Sequence, residues 1–311
     1  MLQTAPIPDP LAALLLAVVL DRLLGEPRRW HPLVGFGRVA VALERGLNRG
    51  GARQVKGALA LALLVLPLTT ALAWLAQGSW LISAGLLYLA LGLRSLDEHA
   101  RAIQAPLEDD RLASAREALA GVVSRDTGTL DATGASGAAV ESALENGADA
   151  GFASLFWFLL AGPAGAVAHR LINTLDAMWG YRTARFNAFG WTAARLDDLL
   201  NWVPARLTAA GYALCGDTRR ALHCWREQAG RWESPNAGPV MAAGAGALGL
   251  RLGGPSRYRG RLKARPVLGQ GRPANPGDIR RATRLVQRTL VLWLVLITLG
   301  GMAWHLTTAA G

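Results

Sequence analysis

The side chains best able to do chemistry fall into two groups. In the first, His169, Asn173 and Asp176 recur at i, i+4 and i+7, so a helix would line them on one stripe that Gly180 extends. Close behind come Arg195, Asp197, Asp198, Asn201 and Trp202, with Thr192 placed to cap their helix and Leu196, Leu199, Leu200 and Val203 supplying apolar surface. Pro204 disfavours helix at Val203, and Arg206 follows. Paired acids beside Asn and Arg can hold Mg²⁺ and phosphate oxygens together, because Mg²⁺ takes a few carboxylates plus substrate oxygens and Arg matches phosphate bidentately. The second group runs Ser124, Arg125, Asp126, Thr127, Asp131, Glu141, Glu145, Asn146 and Asp149. Glu141, Glu145 and Asp149 are spaced i, i+4, i+8, and three acids on one face repel unless they are solvated or bound to a cation. For both groups, a solvated face with local ion pairs is the alternative.

What positions them is a membrane-type chain. Its 311 residues are 51% hydrophobic and 18% charged, with net charge +11 and mean hydropathy +0.23. A soluble domain carries about 25% charged residues. Disorder is excluded by the apolar content. Cys215 and Cys224 match no zinc or disulfide pattern. All basic residues but Lys56 and Lys263 are Arg, and no basic run interleaves aromatics, so nucleic acid is not the expected partner. Anionic headgroups and positive-inside loops account for the charge instead.

The expected fold is all-α, a polytopic helical membrane protein in one domain, 1–311. Four spans are expected near 7–20, 57–76, 80–93 and 290–306, the last with Arg281, Arg284 and Arg288 at its foot and Trp293 and Trp304 near its ends. A signal peptide is disfavoured for the first, because no Lys or Arg precedes it. The apolar run 152–168 is interrupted by Gly162-Pro163-Ala164-Gly165. Segment 169–289 carries 20 Arg and Lys against 7 acids, and 25–56 is basic too. The positive-inside rule wants both in the cytoplasm, so 152–168 is expected to be re-entrant, or a hairpin of half-helices. Segments 21–56, 94–150 and 169–289 then form the cytoplasmic, catalytic part, including an amphipathic helix with Asp109-Asp110 in its first turn. No strand alternation is evident, and 253–278 reads as a long loop. Gly244 to Gly249 matches G-x-G-x-x-G but lacks the preceding strand and following acid of a dinucleotide site, so close packing explains it better. There is no Walker loop and no G-x-S-x-G.

Ordered along residues 21–260, several short motifs resemble one family. They are Asp21, Gly25-Glu26-Pro27 and His31-Pro32; Arg125-Asp126-Thr127; Glu145-Asn146 with Asp149; Asn173-Thr174-Leu175-Asp176 with Met178, Gly180 and Tyr181; Ala194-Arg195-Leu196-Asp197-Asp198 with Asn201 and Pro204-Ala205-Arg206; and Ser234-Pro235-Asn236-Ala237-Gly238. The set resembles the CobD/CbiB family of cobalamin biosynthesis. Three positions depart from its pattern: Glu26 replaces Asp, Ser154 replaces a proline and His169 replaces a tyrosine.

The resemblance implies adenosylcobinamide-phosphate synthase activity. This is ATP- and Mg²⁺-dependent amide ligation of adenosylcobyric acid with (R)-1-aminopropan-2-ol O-phosphate, or with the free amino alcohol, at the cytoplasmic face of the cell (inner or plasma) membrane. It also implies roles. Asp126, Glu145 and Asp149 are expected to hold Mg²⁺-ATP, with Arg125 and Asn146 beside them. Asp176, Asp197 and Asp198 are candidates for metal or general base, and Arg195 and Arg206 for phosphate. His31, Asn173, Tyr181, Asn201, Ser234 and Asn236 are expected to meet substrate. Expected partners are the two substrates, the lipid bilayer, other cobalamin-pathway enzymes and a second copy of the chain. A membrane scaffold or a small-molecule transporter of the same pathway are the competing readings.

Overall fold

The computed structural model describes residues 9–27 and 31–309. Ile7 and Pro8 of the first expected span, and the side chain of Trp304, lie outside the described residues. The helices are α1 (Asp9–Leu24), α2 (Pro32–Leu47), α3 (Arg53–Leu75), α4 (Trp80–Ala90), α5 (Leu93–Glu108), α6 (Leu112–Ala120), α7 (Ala132–Gly147), α8 (Ala153–Trp179), α9 (Trp191–Leu200), α10 (Trp202–Cys215), α11 (Thr218–Gln228), α12 (Ala237–Leu248) and α13 (Pro276–Ala309). A π-helical turn, Ala148–Phe152, joins α7 to α8. Side-chain caps set several starts: Ser79 accepts from the Ile82 N–H, Asp131 from Gly134 and Asp217 from Arg220.

The chain packs as two compact units. One comprises residues 1–92, 153–201 and 294–311; the other comprises 93–152 and 202–293. In the first, α8 packs against α3, α4 and α9, and α1 against α4. Its core includes Phe36, Leu61, Val65, Leu171, Leu175, Trp179 and Phe189, and Trp179 meets Phe189 edge-on at 5.0 Å. Leu59, Leu63, Leu66 and Trp74 on α3, and Leu296 and Leu299 on α13, stay exposed, which suits a lipid-facing surface.

Four stretches are long and apolar enough to cross a membrane: Arg53–Leu75, Trp80–Glu108, Ala132–Trp179 and Pro276–Ala303. Three of them overlap the expected spans at 57–76, 80–93 and 290–306. The expected span at 7–20 differs: as described, α1 has 16 residues, about 24 Å of helix against about 30 Å of hydrocarbon.

The stretch ending at Trp179 is no straight rod. Ala161 and Gly162 leave helical geometry, Gly162 with φ +63°, just before Pro163. A Cβ on Gly165 would lie 2.3 Å from the Trp157 carbonyl oxygen, and Ser154 Oγ lies 3.3 Å from His169 Nδ1. In a continuous helix residues 154 and 169 would be about 22 Å apart. The chain therefore doubles back at 161–165 as a hairpin of two arms. Glycine supplies the positive φ, and the absence of a side chain at 165 allows the arms to close.

Residues 250–273, most of them within the loop expected at 253–278, form short strands. Strand β1 (Leu250–Gly253) lies between β4 (Val267–Gly269), antiparallel, and β5 (Arg272–Pro273), parallel; β2 (Ser256–Tyr258) and β3 (Arg261–Lys263) make a separate antiparallel hairpin. Strands of two to four residues are too short to show alternation. Two other local expectations change. Gly190, not Thr192, stands at the N-cap of α9, and Asp109 and Asp110 precede α6 in a turn rather than forming its first turn. Gly244 and Gly246 do serve packing: a Cβ there would strike Leu144 and the backbone of Ala221.

The hairpin gives a direct test. Gly165→Val should destabilise the fold by about 2–3 kcal/mol through overpacking, visible as a lowered unfolding midpoint in detergent. Gly85→Ala, where a Cβ meets nothing within 4 Å, should change little. Equal midpoints for both variants would contradict the doubled-back geometry.

Candidate active site

The expected site residues divide between the two compact units. In the first unit the two arms of α8 bring Ser154 to His169, and α9 adds its C-terminus. His169 Nε2 and Asn201 Oδ1 are 3.0 Å apart. The amide oxygen only accepts, so His169 donates from Nε2 and leaves Nδ1 to accept from the Ser154 hydroxyl. Asn201 donates its amide to the Asp197 carbonyl at 3.1 Å, and Asn173 donates to Asp197 Oδ1 at 3.1 Å. Ser154 and His169 are thus each other's partners.

Asp176, Asp197 and Asp198 lie near enough to repel one another. Burial raises the Asp197 carboxyl to about 6, although hydrogen bonds from Asn173 and Asn201 favour its charge. Burial also raises Asp198, opposed by Arg195 and Arg182. Arg195 lies 3.8 Å from Asp198 and 5.9 Å from the Trp191 ring centre. Tyr181 is exposed.

Towards the N-terminus of the same unit, His31 caps α2, its Nδ1 accepting from the Leu33 N–H at 3.2 Å. Its Nε2 is buried with no partner among the described residues. Burial lowers the imidazole pKa, Glu26 opposes that, and Arg170 reinforces it. Glu26 pairs with Arg170 on α8 at 3.7 Å.

In the second unit Glu141 is the centre of a buried ion cluster. Arg125 binds one of its oxygens, Arg265 binds the same oxygen at 2.8 Å, and the Gly253 N–H donates to the other at 2.8 Å. Burial opposes the charge on Arg265, but Glu141 and the Tyr258 hydroxyl outweigh it and raise its pKa. Asp126 accepts from the backbone N–H groups of Arg259 and Gly260 at 2.9 and 2.7 Å, holding the β2–β3 turn where Arg259 adopts φ +51°. Glu145 stands one turn beyond Glu141 and feels its charge together with those of Arg125 and Arg265. Asn146 is exposed and donates to Ser142. Asp149 sits in the π turn, near Tyr212.

Asp126, Glu145 and Asp149 were expected to form a metal site. Among the described residues no three His, Cys, Asp or Glu side chains cluster so as to hold a metal ion. The reason is visible for Asp126: both of its oxygens are engaged by backbone donors.

A second feature of this unit is a cleft of about 700 Å³ between α10, α11 and the start of α12, lined by Arg206, Trp225, Arg226, Trp232 and Pro235 among others. Arg206 stacks on Trp202 with its guanidinium carbon 4.0 Å from the ring centre, and reaches the carbonyls of Trp202 and Pro235 at 2.8 and 3.5 Å. Ser234 Oγ accepts from the N–H groups of Asn236 and Ala237, shaping the turn into α12. A Cβ on Gly238 would lie 2.4 Å from the Ala229 carbonyl and 3.1 Å from Trp232 Cβ, so a glycine lets this helix approach the cleft wall. Glu141 as a hub, Arg265 and the cleft tryptophans were not selected from sequence. The i, i+4, i+8 spacing marked Glu141 as acidic-face material, but nothing local reveals an arginine 124 residues away.

Long apolar helices with Asn, Asp, His and Arg side chains held in buried networks define a helical membrane protein that carries polar sites. The chain belongs to the CobD/Cbib protein family, whose profile matches residues 14–286, and so to cobalamin biosynthesis. It is 57% identical over 291 residues to the cobalamin biosynthesis protein CobD of Stutzerimonas stutzeri, covering 92% of this chain and 96% of the relative. Identity is 53% over 291 residues to the Chromobacterium violaceum protein of the same name, covering 90% and 93%. It is 43% over 296 residues to that of Mycobacterium tuberculosis H37Rv, covering 91% and 94%. No solved structure matches.

Removing one member of a buried ion cluster strands the others. Glu141→Ala should therefore cost about 3–5 kcal/mol, seen in thermal unfolding in detergent, while Asn146→Ala at an exposed position should stay within about 0.5 kcal/mol. A Glu141→Ala protein as stable as the parent would remove the cluster from its structural role.

Proposed function

We propose that this protein is an adenosylcobinamide-phosphate synthase, an ATP-dependent ligase joining adenosylcobyric acid to (R)-1-aminopropan-2-ol O-phosphate or its free form. Membership in a cobalamin-biosynthesis family supports the pathway. The observation that carries the chemistry is the Asn173–Asp197–Asn201–His169 network, which holds one carboxylate in place and favours its charged form against the burial that lifts its pKa to about 6.

A carboxylate and an amine do not condense unaided, because oxide is a poor leaving group. In the proposed sequence a substrate carboxylate oxygen attacks the terminal phosphorus of ATP and ADP leaves. The amine then attacks the acyl phosphate carbon and phosphate departs. The substrate ammonium sheds two protons on its way to the amide: Asp197 accepts one, which frees the attacking amine, and the departing phosphate carries off the other; a carboxylate with a pKa near 6 is ionised at neutral pH yet basic enough for the task. Asp198, beside it and supported by Arg195, keeps the site negative and attracts the substrate ammonium. Mg²⁺ is expected to arrive with the nucleotide, held by its phosphates; the acids around Asp126 do not fit a resident ion.

The reading places the protein in the cell membrane with its polar segments in the cytoplasm. In the first unit Arg185 pairs with Glu44, and Asn48 and Arg53 bind the carbonyls of residues 185 and 184. In the second, the segment before the hairpin (Asp126, Glu141) binds the segment after it (Arg257, Arg259, Arg265). Both ties agree with a hairpin that returns to the side it left, and the excess of Arg marks that side as cytoplasmic. A transporter is the second reading, favoured by the same hairpin, since broken helices with polar linings form substrate paths.

Detergent-purified protein given adenosylcobyric acid, aminopropanol phosphate, ATP and Mg²⁺ should yield adenosylcobinamide phosphate by mass spectrometry. Activity should rise with pH through about 6 and then level off. Asp197→Asn should lower the rate by about 10²–10⁴-fold. Because the folded state raises this carboxyl pKa, its contribution to stability is greatest at low pH and falls as pH rises from about 4 to about 6. At pH 8 the Asn variant should therefore unfold no earlier than the parent. No product from folded parent protein, with either amino alcohol, would overturn the ligase reading.

A further inference from the structure

The cleft of the second unit combines features that the ligase network does not use. Two indoles, Trp225 and Trp232, stand in its wall, each partly exposed while packed on the core formed by Ala229, Met241 and Leu268. Two cations, Arg206 and Arg226, face the same space. The one acid of the lining, Glu233, is already paired with Lys263 at 2.5 Å. Arg206 has only carbonyl oxygens and the Trp202 ring around it, with no carboxylate partner among the described residues. Burial of its guanidinium lowers its pKa, a cost with no counter-ion to offset it. Charge desolvated in this way is stabilised when an anion arrives, and Arg engages phosphate oxygens bidentately. Indole faces beside it suit a planar heteroaromatic ring. The volume lies within the range of small-ligand sites, about 300–1,000 Å³, and is too small to enclose a corrinoid.

We propose that this cleft binds the nucleotide, with the base against Trp225 and Trp232 and the phosphates against Arg206 and Arg226. Naming ATP as that nucleotide rests on the ligase reading. Two motifs singled out in the sequence, Pro204-Ala205-Arg206 and Ser234 to Gly238, then meet for a reason: Arg206 reaches the Pro235 carbonyl across the cleft floor. The nucleotide site is thereby moved from the acids at 126–149 to α10–α12.

Binding to full-length protein in lipid nanodiscs, followed by calorimetry with Mg-ATP and separately with tripolyphosphate, tests this. Arg206→Gln should weaken both probes at least about 10-fold. Trp225→Ala should weaken ATP about 10-fold or more but leave tripolyphosphate nearly unchanged, and Trp225→Phe should recover most of the ATP affinity. If the parent binds no ATP, or if the variants bind it as the parent does, the cleft is not the nucleotide site. Nanodiscs of phosphatidylglycerol and of phosphatidylcholine should give the same ATP affinity; displacement of ATP by the anionic lipid through Arg206 would instead make the cleft a headgroup site. The two proposals fail separately. Amide product with unaltered ATP binding in the variants removes only the cleft, whereas Arg206-dependent ATP binding without amide product removes only the ligase.

Discussion

The reversal of the chain at Gly162-Pro163 is the constraint on which the first unit depends. It sets two arms of one apolar segment side by side, and only then can Ser154 meet His169 and His169 reach Asn201. It rests on backbone chemistry: a positive φ at Gly162, a proline that cannot continue the donor ladder, and no Cβ at Gly165 where the Trp157 carbonyl stands. The Trp157 indole then donates to the Leu200 carbonyl at 2.9 Å, tying the first arm to the end of α9.

Much of this was legible from residue types. The Gly-Pro-Ala-Gly interruption marks the place where helical geometry breaks, and the spacing of His169, Asn173 and Asp176 puts them along one helix. The spans at 57–76, 80–93 and 290–306 follow from apolar length alone. What could not be read is contact over distance. The strands at 250–273 are too short to carry a period, and their order depends on Glu141 binding Gly253 and Arg265. The acids at 126, 145 and 149 are close in sequence, so spacing suggested a shared ion. Asp126 instead turns outward to backbone donors 133 and 134 residues away, and a helical spacing rule has no information about them.

Ser154 and His169 compensate one another across the hairpin. Here a ring nitrogen is left over on the near side, and in a buried place it requires a partner. Ser154 provides one. Taken singly, each residue puts a polar atom in an apolar arm; together they close a network that ends at Asp197.

That network also explains why acids and amides are mixed rather than separated. Three carboxylates alone would repel, and burial would drive protons onto them. Asn173 and Asn201 stabilise the charged form of Asp197 without neutralising it, whereas Arg195 at 3.8 Å acts on Asp198. The result is a pair of adjacent acids with different environments, one under amide donors and one under a guanidinium. A site that must take a proton from an ammonium and still hold negative charge needs this kind of division, since a carboxylate paired closely with arginine is too weak a base and an unassisted buried one stays protonated at neutral pH.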